Sequence, residues 1–139
     1  MEAPIITATL VRRIEWSDTD AAGHQHNSAI MRFVEACEAQ LFRDLELPDY
    51  FGQAPRVRHE VNFRAKLWFG QEVTTEVSLR RVGETSMTFS FRVWGEAFGD
   101  GPRRPAADGE FVTVFVPWGG EQSAPWPAHI REAVLDHAH

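Results

Sequence analysis

At 139 residues, with 43% hydrophobic and 24% charged side chains, the chain has the length of one domain and enough apolar material for a core beneath a water-facing surface. Its formal net charge of −6, from 14 Lys and Arg against 20 Asp and Glu, argues against a general nucleic-acid binder, which needs cations to neutralise phosphates. One cysteine, Cys37, excludes an intrachain disulfide, and neither a signal-peptide pattern nor a membrane-length apolar stretch is present, so a cytoplasmic protein without a membrane partner is expected.

In chain order, Ile5 to Trp16 is rich in β-branched residues and predicts a first strand. Ser17 to Asn27, SDTDAAGHQHN, is small and polar around Gly23, which is loop chemistry. From Ser28 the period changes. Ile30, Phe33, Val34, Cys37, Leu41 and Leu45 recur at spacings of three and four, one apolar stripe of a helix of about five turns, with Arg32, Glu38 and Arg43 off it. Asn27 or Ser28 is the predicted N-cap, since its side chain can accept from the first unpaired backbone N–H groups, and Pro48 stops the helix.

Strands dominate the remainder. Val57, His59, Val61, Phe63 and Ala65 alternate with Arg56, Arg58, Glu60, Asn62 and Arg64. Beyond Gly70, Val73, Thr75, Val77 and Leu79 share a face, and a short turn at Gly83–Glu84 leads into Met87, Phe89, Phe91 and Val93. This pair has the clearest period-two pattern in the chain and predicts a hairpin. Gly95 to Asp108 reads as a Gly/Pro-rich loop, Glu110 to Val116 as a last strand, and Ala128 to Asp136 as a short helix in a Pro-containing tail. One long helix early, followed by antiparallel strands, is an α+β layout. A sheet that covers one helix must curl around it and leaves a face open, which similar domains close by pairing with a second copy.

The loop before the helix carries the chemistry. Asp18 and Asp20 lie two apart, ahead of Gly23 and a helix N-terminus. That end presents unpaired N–H donors and the positive pole of the helix dipole, a place to polarise a carbonyl oxygen. A carboxylate beside it can attack the carbonyl or activate a water against it, so the layout suits acyl transfer. The spacing alone favours two turn-forming aspartates in a solvated loop over a catalytic pair.

The stretch IEWSDTDAAGHQHNSAIMRFVEACEAQL resembles the signature of the 4-hydroxybenzoyl-CoA thioesterase family of hot-dog proteins: an aromatic residue, a short linker, D-x-D, two small residues and Gly, then a helix with an aromatic–x–acidic–Ala run, here Phe33 to Ala36. The similarity continues through VRHEVNFRAKLWFGQEV and RRVGETSMTFSFRV, with Gly83 to Met87 matching the family's central hairpin turn, and spans roughly residues 8 to 116. It implies an α+β hot-dog fold, one long helix wrapped by a curved antiparallel sheet of five to six strands, filling residues 1–139 as one domain with a tail at 117–139. It implies hydrolysis of an acyl-CoA to a carboxylic acid and CoA, with CoA part of the substrate and neither a metal nor an organic cofactor required. Asp20 corresponds to the family's nucleophile or general base, and the backbone N–H that holds the thioester carbonyl maps to Asn27. Asp18 is then mainly structural.

Gly23, His24, His26 and Glu35 are possible lining residues. His24 and His26 can orient water or touch substrate, or merely edge the loop. Glu35 can support the site or form an ion pair. Arg64, Lys66, Arg80 and Arg81 are candidates for the CoA phosphates, against an ordinary solvated basic face. Cys37, on the apolar stripe, reads as a buried small hydrophobe. The chain departs from the pattern early in the helix, where Ile30 replaces a common Tyr. A homodimer or homotetramer with its site between subunits is expected. Three alternatives remain: an acyl-carrier-protein thioesterase, a hot-dog dehydratase, or a binding module without turnover.

Overall fold

The computed structural model describes residues 3–20, 23 and 27–136. In chain order these form β1 (Ile6–Arg13), a 3-10 turn (Trp16–Asp18), α1 (Asn27–Asp44), a second 3-10 turn (Pro48–Tyr50), β2 (Arg56–Phe63), β3 (Glu72–Val82), β4 (Ser86–Gly95), β5 (Arg104–Val114) and α2 (Ala128–Leu135). The five strands make one antiparallel sheet in the order β1-β3-β4-β5-β2. The two strands that bracket α1 in sequence therefore lie at opposite edges of the sheet.

The predicted stripe packs as periodicity requires. Ile30, Phe33, Val34, Cys37, Leu41 and Leu45 are all buried, with Leu45 one residue beyond the helix end. They meet the inward face of the central strands, Val73, Val77 and Leu79 of β3 and Met87, Phe89, Phe91 and Val93 of β4. Each large apolar side chain so placed contributes about 1.5–3 kcal/mol relative to exposure. Helix α1 rests chiefly on β1 and β3 and reaches β4, which leaves the concave surface of β2 outside its main footprint. Among the described residues no helix is long and apolar enough to cross a membrane.

Several boundaries differ from the sequence expectation. Strand β1 ends at Arg13, and Trp16–Asp18 coils into a 3-10 turn that was expected to be strand and loop. Asn27 is the first helical residue rather than a cap. Strand β5 begins at Arg104, inside the stretch expected to be loop, and includes Pro105 and Gly109. Gly109 belongs in the sheet because of a close approach: a Cβ there would lie 1.9 Å from the Glu60 carbonyl oxygen of β2.

The face of β2 also needs correction. A register shift between Arg56 and Arg58 breaks the alternation. Arg56 turns inward, its guanidinium 4.0 Å above the Phe111 ring, while Val57 is 61% exposed. His59 lies over the same ring, in a stacked arrangement at 5.9 Å.

Candidate active site

The loop after β1 is fixed at both ends. Ile14 is fully buried; its N–H donates to Gln71 O and its carbonyl accepts from Gly70 N–H. Asp18 is nearly buried and uses both carboxylate oxygens. Oδ2 accepts from Glu15 N–H at 2.9 Å, and Oδ1 pairs with Arg32 Nη2 of α1 at 2.8 Å. Asp18 thus bolts the loop to the first turns of the helix. Thr19 Oγ1 donates back to Trp16 O at 2.6 Å and closes the 3-10 turn.

Asp20 follows at the edge of this bolted unit, half-buried, with its carbonyl accepting from Gly23 N–H at 3.1 Å. Gly23 has φ of +85°, a conformation that penalises any side chain, although a Cβ there would meet nothing within 4 Å. The demand for glycine is therefore conformational. Its carbonyl accepts from Phe69 N–H, which ties the far end of the loop to the segment between β2 and β3. Trp16 and Phe69 meet edge-on at 5.4 Å, and with Trp68 they form an exposed aromatic rim beside the loop. His24 and His26 lie outside the described residues. Asn27 opens α1, so its backbone N–H belongs to the helix's first turn, where such groups have no intrahelical acceptor.

The remaining predicted residues are dispersed. Glu35 is exposed on α1, about 12 Å along the helix from Asn27. It lines a cavity of about 310 Å³ with Glu38, Tyr50 and Arg56. The four basic candidates fall into two clefts. Arg64 and Lys66 line one of about 340 Å³ with Trp68, Phe98 and Arg104, adjoining the aspartate loop through Trp68. Arg80 and Arg81 line another of about 640 Å³ on the outer sheet face, where Glu60, Asp108 and Glu110 oppose them. Arg64 is engaged by Asp108 at 2.9 and 3.2 Å, and this guanidinium holds the Asp108 carboxyl below its ordinary range. Arg80 Nε donates to Ser90 Oγ.

Cys37 is fully buried, its thiol 3.4 Å from the carbonyl oxygens of Ala8 and Thr75. Burial pushes it up to about 11, which makes it a core side chain and no nucleophile at neutral pH.

Sequence reasoning missed a second polar cluster. Tyr50, stacked on Phe42, donates to Glu38 Oε2 at 2.6 Å, while Arg56 Nη1 pairs with Glu38 Oε1 at 2.8 Å. Burial and the neighbouring Glu38 carboxylate raise the Tyr50 phenol well above its ordinary value. Glu38 lies off the apolar stripe, and nothing in its spacing links it to a tyrosine beyond the helix.

One long helix laid across a five-stranded antiparallel sheet, with a D-x-D loop at the helix start, defines the hot-dog class of thioesterase folds. The chain belongs to the thioesterase-like superfamily, whose family model matches residues 14–134. It is similar to a predicted thioesterase from Bacillus stearothermophilus, at 26% identity and a TM-score of 0.80 over 96% of this chain and 98% of that one. It is also similar to a thioesterase from Thermus thermophilus solved with coenzyme A and Zn, at 24% identity and a TM-score of 0.79, covering 99% and 98% of the two chains. The 4-hydroxybenzoyl-CoA thioesterase from Pseudomonas sp. strain CBS-3 shares the fold with a TM-score of 0.82 at 20% identity, covering 94% of this chain and 99% of that one. No curated protein matches the chain.

Proposed function

We propose that the protein hydrolyses acyl-CoA thioesters, with Asp20 as nucleophile or general base. The observation that carries this reading is the D-x-D loop of a thioesterase-like superfamily member, bolted by Asp18 to Arg32 at the start of α1. In this reading Asp20, two residues beyond the bolt, acts together with the start of α1, whose N–H groups favour negative charge.

In the reaction, the thioester carbonyl oxygen accepts from the Asn27 backbone N–H, and this bond strengthens as the oxygen becomes an oxyanion. Asp20 either attacks the carbonyl carbon, giving an anhydride that water then opens, or takes a proton from the water that attacks. The C–S bond breaks, the thiolate of CoA leaves and is protonated, and the acyl group departs as a carboxylate. Gly23 lets the loop turn, and His24 and His26 border it in sequence. The Arg64–Lys66 cleft is the better of the two basic clefts for the CoA phosphates. It adjoins the loop and offers exposed Lys66 and Arg104 beside the rings of Trp68 and Phe98. The outer-face arginines sit among carboxylates that repel phosphate.

The active form is a homodimer or homotetramer. Strand β2 is an edge strand with Val57 61% and Phe63 49% exposed, a surface that pairing with a second copy would cover. A panel of acyl-CoA substrates of differing length and aromaticity, followed by free-thiol detection, tests the reading. Catalytic release of CoA with the matching acid is expected. Binding of every acyl-CoA without turnover would overturn it in favour of a binding module.

A further inference from the structure

Buried polar side-chain atoms nearly always have partners, so a cluster of unpartnered ones marks a place where something is missing. Among the described residues, five such atoms occur, and four belong to two neighbours on β2: Arg56 Nε and Nη2, and His59 Nδ1 and Nε2. Both side chains lie over the Phe111 ring, and Phe91 flanks His59 at 5.8 Å.

The pattern at Arg56 is specific. Its Nη1 is taken by Glu38, whose other oxygen is held by Tyr50. What remains, Nε and Nη2, is the side edge of the guanidinium, two parallel N–H donors in one plane. That fork matches the two oxygens of a carboxylate. Arg56 also lines the cavity of about 310 Å³ with Glu35, Glu38 and Tyr50, so its side chain borders open space, with His59 behind it on the same strand. The cavity lies against the middle of α1, Glu38 standing about 16 Å along the helix from Asn27. A long extended acyl group can span that separation.

We propose that Arg56 and His59 form a receptor for a carboxylate at the far end of the acyl group, which makes acyl thioesters with a terminal carboxylate the class this site selects. The inference rests on the thioesterase reading above and deepens it. The aromatic floor keeps water from competing for the fork, and His59 donates to the second oxygen. Charge balances as well. Glu38 neutralises Arg56 in the empty site, and burial together with the Arg56 charge lowers the His59 imidazole below its ordinary value, so it is neutral until an anion arrives. An arriving carboxylate reverses that preference, and His59 takes up the balancing proton. The groups facing His59 are Arg56 on its own strand, Glu35 from α1, and the rings of Phe91 and Phe111 from β4 and β5.

The test compares kcat/KM for dodecanoyl-, tetradecanoyl- and hexadecanoyl-CoA with that for their ω-carboxyl counterparts. The site predicts that the best ω-carboxyl substrate is favoured over its plain partner by about tenfold or more. Two variants, checked first by thermal melting, bring that ratio toward one. Arg56→Lys keeps a cation for Glu38 but loses the fork, and His59→Phe keeps the ring stack but loses the nitrogens. A wild type that prefers the plain series, with ratios unmoved in both variants, overturns the receptor and leaves the thioesterase standing. Variants that weaken subunit association without moving the ratio assign the fork to a partner's carboxylate and likewise overturn it. Failure to hydrolyse either series overturns the thioesterase reading and the receptor with it.

Discussion

Asp18 and Asp20 are separated by one residue and meet different fates. Asp18 has one oxygen on Glu15 N–H and the other on Arg32, so its negative charge is occupied in holding loop to helix. Asp18→Asn retains an acceptor for the backbone bond but loses the charge that Arg32 pairs with. Because Arg32 is half exposed, we expect a modest loss of about 1 kcal/mol in urea unfolding, with turnover reduced far less than by a change at Asp20. An Asp18 variant of full stability would contradict the bolt. Cys37 gives a second check at this scale. Its thiol is buried and raised to about 11, so a thiol reagent should fail to modify the native protein at neutral pH and react at once in denaturant. Rapid native labelling would show that the α1–β3 packing opens readily.

Among the elements, those with a clean period could be read from the amino acids alone. The β3–β4 hairpin and the α1 stripe follow from alternation and from three–four spacing, because burial on one face imposes those periods. The first half of strand β5 was hidden by Pro105 and Gly109, residues that suit loops by composition. Gly109 is there because β2 passes too close for a Cβ. The inward turn of Arg56 was hidden too, since a register shift on an edge strand leaves no mark in the pattern of side chains. The D-x-D-x-x-G loop was legible as a motif, whereas the Glu38–Tyr50–Arg56 network joins three elements and has no local signature. The division of the basic residues into two clefts yields an element-level prediction. Lys66→Ala with Arg104→Ala should raise KM for acyl-CoA about tenfold or more while sparing the corresponding acyl-pantetheine, which lacks the nucleotide. Arg80→Ala with Arg81→Ala should do less. The reverse order would move the CoA phosphates to the outer sheet face.

At the scale of the whole molecule, the sheet wraps α1 along one part of its concave surface and leaves β2 at an edge with apolar side chains in water. A dimer or tetramer is therefore expected by light scattering at micromolar concentration, and a fully active monomer would contradict both the assembly and a site shared between subunits. The proposed reaction depends on one carboxylate, Asp20, and on the backbone donors at the start of α1. Asp20→Asn preserves its size and leaves the backbone donors of α1 in place while removing the charge that attacks or deprotonates. The most direct measurement is acyl-CoA turnover by this variant beside the wild type, with equal melting temperatures established first. If Asp20 attacks or deprotonates, kcat falls on the order of a hundredfold or more, with substrate binding roughly preserved. Near-normal turnover by Asp20→Asn, or a greater loss from Asp18→Asn, would contradict that role.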